Sequence, residues 1–269
     1  MMQIHELERT EARALAALRC IDATTGVAID TPLEVDVAHS TVRRNRSGWY
    51  VIASAAALPG HDLSFETPLA NPPVGGVRLR AVVRDPSGRY LPRSASITLP
   101  RDADPAHAAL PASLFQPIDL ALYCASSAST GINWALLRVS VSSAAGGDAL
   151  GGALLRVLQD GQVLARGMTD WRGEALVAVA GVPVTTWSDD PAAVVIRAVR
   201  AQLEVTVELA ALRATAMANV RNGQAAPHGP PADPDFLEAG SGPGFLRQRV
   251  DVTLSAGASQ SHAFVLLLP

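Results

Sequence analysis

Residues 133–187 read NWALLRVSVSSAAGGDALGGALLRVLQDGQVLARGMTDWRGEALVAVAGVPVTTW. Short apolar runs alternate there with Gly- and Asp-bearing breaks, which is the pattern of successive antiparallel strands. Leu137, Val139 and Val141 point one way. Ala153, Leu155 and Val157 repeat the pattern after the GGDALGG turn. Asp160-Gly161 is a two-residue hairpin signal, because both positions of such a turn need positive φ. Beyond it come Val163 and Ala165, then Leu176, Ala178 and Ala180 or their neighbours. The stretch therefore describes a β-sandwich, and it says far more about architecture than about chemistry.

Outward from this centre the same grammar recurs. On the N-terminal side, LAALRCIDATTG ends in a turn at Gly26, and LEVDVAHS alternates Leu33, Val35 and Val37. NRSGWYVIAS places Ser47-Gly48 directly before a strand. Arg46-Ser47-Gly48 answers Trp171-Arg172-Gly173, so the chain reads either as a degenerate duplication of one sandwich unit or as chance similarity among β-rich segments. Val77–Arg84 and Ser94–Leu99 are two further strands joined through Asp85-Pro86-Ser87-Gly88, where Pro presets φ at the second turn position. In SLFQPIDLALY the alternation of Ile118, Leu120 and Leu122 after Pro117 suits an edge strand. AVVIRAVRAQLEVTVEL is one long bent strand or two. ALRATAMAN is a short helix ended by Asn222-Gly223, and the Pro and Gly of 225–244 argue against any regular element there. At the end, SHAFVLLLP is expected to be a central or buried strand.

The expected class is all-β, with two tandem antiparallel β-sandwich domains of transthyretin- or immunoglobulin-like kind and long Pro/Gly-rich loops. The expected divisions are an arm over 1–13, a first sandwich over 14–100, a linker with an edge strand over 101–130, and a second sandwich over 131–269 holding the long loop 210–244. The arm is a short helix or a disordered segment, with Ile4 and Leu7 on one apolar stripe.

Composition removes several functions. All 22 basic residues are Arg and the formal net charge is −3 without a basic run, so the electrostatic footprint of nucleic-acid binding is missing. Glu6, Glu8, Arg9, Glu11 and Arg13 interrupt the apolar core that a secretory signal needs, so synthesis in the cytoplasm without export is expected. No apolar run reaches membrane-spanning length. Cys20 and Cys124 are too few for a disulfide framework and read as two buried thiols. The six histidines stand at 5, 39, 61, 107, 228 and 262 without ligand spacing, and no cofactor or metal is expected. No nucleophile elbow, phosphate loop or dinucleotide fingerprint occurs. Asp189-Asp190 reads as a turn, the group Asp233, Asp235 and Glu238 as a solvated loop, and Arg43, Arg44 and Arg46 as a solvated hairpin.

Strand Leu137–Val141, the Gly-bearing turn 146–152, strand Ala153–Leu158, hairpin Asp160-Gly161 and Thr169-Asp170-Trp171-Arg172-Gly173 before Glu174–Val179 resemble the transthyretin-like, or carboxypeptidase-regulatory-like, β-sandwich. That family serves as spacer, binding module and, in some members, enzyme. Its hydroxyisourate hydrolases end in Tyr-Arg-Gly-Ser, whereas this chain ends FVLLLP. The intradiol dioxygenases need two Tyr and two His around iron, a spacing that Tyr50, Tyr90 and Tyr123 do not have beside them. The resemblance thus implies a non-enzymatic assembly protein, made in the cytoplasm and incorporated into a multi-subunit particle. By context this is similar to structural proteins of phage tails or contractile injection apparatus, and the expected partners are other protein subunits or further copies of the chain. Ile4 and Leu7, or Phe236 and Leu237, are the expected interface anchors. A second reading is a binding module for carbohydrate or peptide that stacks ligand on Trp171 and Trp187. A hydrolase whose groups converge only in three dimensions is the third.

Overall fold

The computed structural model describes residues 13–63, 69–183, 198–225 and 229–269, together with the backbone of two short strands at Thr186–Trp187 and Val194–Val195. The protein is all-β. In chain order the strands are β1 (Ala16–Asp22), β2 (Glu34–Val37), β3 (Ser40–Arg44), β4 (Tyr50–Ala55), β5 (Val77–Arg84), β6 (Arg93–Leu99) and β7 (Ile118–Leu122). They continue as β8 (Ala135–Ser143), β9 (Ala149–Gly151), β10 (Leu154–Gln159), β11 (Gln162–Met168), β12 (Glu174–Val179), β13 (Thr186–Trp187), β14 (Val194–Val195), β15 (Val199–Glu208) and β16 (Arg213–Thr215). Helices α1 (Met217–Arg221) and α2 (Pro234–Ala239) precede β17 (Phe245–Leu254) and β18 (Ser259–Leu266).

The first seven strands form two sheets, in the orders β3-β4-β1-β7 and β2-β5-β6, and β7 takes an edge as its preceding proline requires. The later strands form β11-β10-β15-β17 and β12-β8-β9-β16, with β18 joined to β8. Contacts group the chain into two compact units that interleave along it. One takes residues up to Arg19, Val35–Ala81 and Ser96–Leu120; the other takes Cys20–Glu34, Val82–Ala95 and Ala121–Pro269. In the first unit Leu18, Val37, Tyr50, Ile52, Ala81, Ile97, Leu99 and Leu120 are buried, and Arg19 meets Asp119 at 2.6 Å on the surface.

In the second unit the larger apolar core among the described residues is built from both large sheets. Leu137, Val139 and Val141 of β8, Leu155 and Val157 of β10, Leu203, Val205 and Val207 of β15 and Phe264 and Leu266 of β18 all join it. Alternation along each strand turns these residues to one face, which makes the sheets a sandwich. The β10–β11 hairpin pairs Gln159 with Gln162 around Asp160 and Gly161, whose φ values are 50° and 80°. On β12 the residues turned to the shared core are Ala175, Val177 and Val179, the neighbours of Leu176 and Ala178, which are buried too. The GGDALGG turn holds a three-residue strand of its own, β9, with Leu150 fully buried.

The two turns matched by sequence share one hydrogen-bond pattern. Gly48 N donates to Asn45 O and Trp49 N to Asn45 Oδ1, just as Gly173 N donates to Asp170 O and Glu174 N to Asp170 Oδ1. Both glycines have positive φ. At Gly173 an added Cβ would also strike the Val141 carbonyl, so only glycine lets the turn lie this close to β8.

Two expectations are corrected. The C-terminal strand is not central: β18 pairs with β8 alone among the described residues, in parallel register from Ser259↔Leu136 to Leu266↔Ser143, whereas β12 pairs with β8 antiparallel. Its inner residues Phe264 and Leu266 enter the core, while Val265 and Leu267 stay exposed. The loop 210–244 is not without regular structure. The helix expected over ALRATAMAN is confined to its end: Arg213–Thr215 is strand β16 and the helix runs Met217–Arg221; further on, α2 is nucleated by Asp233 as N-cap, its carboxylate accepting from Asp235 N and Phe236 N, with Pro234 in the first turn.

Candidate functional site

Among the described residues of the second unit, two gatherings of chemistry-bearing side chains stand out. The first grows from the Thr169–Gly173 turn. Thr169 is buried, its hydroxyl donating to Leu150 O and accepting from Ala153 N. Asp170 takes hydrogen bonds from Arg172 N at 2.8 Å, from Glu174 N at 3.1 Å and from the Ser126 hydroxyl at 3.1 Å. The Arg172 guanidinium lies 2.9 Å from Asp170 and 3.1 Å from Glu174, so hydrogen bonding to Asp170 holds it above its ordinary pKa. The same guanidinium lies 5.9 Å over the half-buried Trp171 ring.

Beside this turn, strands β12, β8 and β18 bring Glu174, Arg138, Ser140 and Ser261 to one shallow trough of about 260 Å³, which Ser126 closes. Register fixes the neighbours: Glu174 is opposite Ser140, and Ser261 is opposite Arg138. Arg138 is exposed and, among the described residues, donates only to Ser126 O, at 3.2 Å. His262 pairs with Val139, and its Nε2 is buried without a hydrogen-bond partner among the described residues.

The second place is the outer face of β10, β11, β15 and β17, where α2 docks. Glu204, 0% exposed, is held by Arg156 and, at 2.5 Å, by Arg249. Burial works to raise its pKa, but the hydrogen bonds and charges of these two arginines outweigh that and hold the carboxyl below the usual range. Glu238 of α2 accepts from Arg166 Nε and Nη2 at 2.8 Å and lies 3.4 Å from Arg156, and Arg166 before all holds it low as well. Arg93, 1% exposed, reaches Asp235 at 2.5 Å and the Ala121 carbonyl at 2.8 Å, while burial raises the pKa of neighbouring Asp233. Under the helix, Leu237 packs with Tyr123, Leu154 and Met168, and burial pushes the Tyr123 phenol up to about 12. Opposite charges thus lock α2 to the sheet around an apolar pin.

The sequence candidates fall as follows. Trp171 lies in the Thr169–Gly173 turn under the Arg172 guanidinium and does not line the trough. The side chain of Trp187, Ile4, Leu7 and Asp189-Asp190 lie outside the described residues. Leu237 is 3% exposed and already engaged by its own chain, which leaves Phe236, at 51%, as the outward member of that pair, tilted against Phe245 at 5.6 Å. Asp233, Asp235 and Glu238 are not a solvated loop; they cap α2 and tie it down, since Arg93, Arg156 and Arg166 come from distant strands to meet them. Arg43, Arg44 and Arg46 are exposed. Cys20 and Cys124 are free and buried, and burial pushes the Cys20 thiol up to about 11. Among the described residues no three His, Cys, Asp or Glu converge as metal ligands, and no helix is long and apolar enough to cross a membrane.

No family model matches the chain, and no curated protein does. Among solved structures, the 5-hydroxyisourate hydrolase of Klebsiella pneumoniae is similar over 50% of this chain and 91% of its own, at 13% identity and a TM-score of 0.25. At that level the likeness carries no argument about activity.

Proposed function

We propose that this protein is a non-catalytic assembly module of a multi-subunit particle, with a phage tail or contractile injection apparatus as the setting implied by the sequence resemblance. The observation that carries the reading is the state of β18. It ends its sheet among the described residues, bears no charged Asp, Glu or Arg from Ser259 to Leu266, and leaves Val265 56% exposed with Leu267 at 80% just beyond. Natural proteins cover or charge such edges unless another chain pairs with them. The test is native isolation from the source cells followed by sedimentation. The chain is expected to travel in a large particle with other proteins, and recovery only as a free 28.0 kDa species overturns the reading.

A second reading, a small-ligand site, is favoured by one specific feature: the trough joins Arg138, Glu174 and three serines, and the adjoining turn carries the Trp171 ring under Arg172. A glycan array read with the protein and with Trp171→Ala checks it. Binding that survives the substitution, or no binding at all, removes it.

A further inference from the structure

The edge of β18 that no other described strand pairs with and the trough beside it belong to one surface, and together they specify a partner. The backbone hydrogen bonds Leu136 N to Ala258 O and Ala144 N to Leu266 O bracket the parallel β8–β18 register. In a parallel ladder both polar groups of one residue face one neighbour and those of the next residue face the other. Residues 260, 262, 264 and 266 therefore bond to β8. The N–H and C=O groups of Ser259, Ser261, Ala263 and Val265 point off the sheet, and no partner meets them among the described residues.

A strand added along this edge lays alternate side chains next to Ser261 and Ala263. Arg138 stands one strand further in, opposite Ser261. Neighbouring strands are about 4.8 Å apart, so the added backbone runs roughly 10 Å from the Arg138 Cα. Only the small Ser261 lies between, so a long acidic side chain reaching inward meets the guanidinium when that turns from the Ser126 carbonyl toward the edge. The other cation at the trough, Arg172, is already neutralised by Asp170 and Glu174. Among the described residues Arg138 has only a carbonyl.

We infer, on the basis of the assembly reading above, that β18 receives an extended segment of a different protein, apolar toward Val265 and carrying an acidic residue that pairs with Arg138. A second copy of β18 does not supply that residue, because 254–269 contains neither Asp nor Glu. The chemistry of the edge therefore favours a foreign strand over self-pairing.

Two acetylated and amidated peptides test this on the full chain: Val-Thr-Val-Thr-Glu-Thr-Val-Thr-Val, whose Val residues share the face of the Glu in either strand direction, and the same peptide with Lys in place of Glu. NMR hydrogen exchange follows the β18 amides. The Glu peptide is expected to protect Ser261, Ala263 and Val265 and to bind about threefold tighter than the Lys peptide, the worth of one exposed ion pair. In Arg138→Ala the two peptides should bind equally. Ala263→Pro removes an outward N–H without touching the β8 ladder and should abolish binding; Val265→Lys, which keeps every backbone donor, should weaken both peptides. Failure of either peptide to protect the outward amides, or equal affinity for the two in the unaltered chain, overturns the inference. So does protection that rises with chain concentration in the absence of peptide, which identifies a second copy as the occupant. Each of these failures leaves the assembly reading standing if the native chain still sediments in a particle, whereas recovery as a free chain removes the assembly reading itself.

Discussion

Strands β17 and β18 are consecutive, joined by a turn at Gly257, yet they end opposite sheets of the same sandwich and are finished in opposite ways. β17 presents Arg247, Arg249 and Asp251 outward, and Arg249 reaches across to Glu204. Arg247 bonds to the Glu238 and Gly240 carbonyls at the end of α2. β18 presents Ser, Ser, Ala and Val. A charge carried into an intermolecular sheet must be desolvated, so charged edges repel incoming strands. The difference is that β17 is closed by electrostatics to everything except its own helix, while β18 is left chemically permissive.

The largest expected effect comes from breaking the closed side. Glu204→Gln leaves Arg156, itself mostly buried, facing an uncharged amide, and loss of one partner of a buried ion pair costs about 3 kcal/mol. Urea denaturation should show that loss, and Arg249 should become more mobile while the β18 amides keep their exchange rates. Slower or unchanged exchange along β17 would contradict the role given to the pair.

Next in size is Leu237→Ala. Removing the apolar pin under α2 should cost about 2 kcal/mol, the low end for a buried leucine because a helix of 6 residues on an outer face can settle into the gap. Fluorescence-monitored unfolding measures the loss. A change below about 0.5 kcal/mol, the range of a surface substitution, would mean that the ion pairs hold α2 alone.

Acid sharpens the same contrast. The Glu204 carboxyl is held below its unfolded pKa, so its stabilisation is complete above the ordinary glutamate range and is lost as pH falls through the folded value. Glu238 has the same sign. Asp233 has the opposite sign, because its raised value favours the folded state once protonated, and it offsets part of the loss. The clean measurement is the stability gap between the protein and Glu204→Gln, which should be full at pH 7 and close toward zero as pH drops below the carboxylate range. A gap that is independent of pH would show that Glu204 acts through shape and not through charge.

These contrasts were unevenly legible in the chain itself. The β10–β11 hairpin could be read because Asp160-Gly161 forces a local geometry, and the Asn45 and Asp170 turns because a side-chain acceptor three residues before a glycine determines its own hydrogen bonds. The docked α2 was readable in principle from Asp233-Pro234, an N-cap followed by proline in the first turn, although the surrounding Pro and Gly mask it. The Arg156–Glu204–Arg249 group was not readable, since single charges at alternate strand positions look like a solvent face until α2 covers them. The place of β18 was hidden for a related reason. Its pairing with β8 spans more than a hundred residues of sequence, and the run VLLL reads as buried on both faces when only every second residue is.

The smallest expected effect on stability is the one that isolates the open side. Val265→Lys places a charge on the outward face of β18, where the side chain is already more than half exposed, so little apolar burial is lost and the flexible lysine extends into water. Its cost to folding should stay within about 0.5 kcal/mol. Its cost to assembly should be large, because in a paired sheet the ammonium would have to shed water against the incoming strand. The matched control is Arg247→Lys on β17, which keeps the guard charged. Co-sedimentation from cells expressing each variant separates the cases: Val265→Lys should be recovered free and folded, and Arg247→Lys in the particle. If Val265→Lys enters the particle as well as the unaltered chain, the two edges do not differ in function, and the contrast between them is only one of composition.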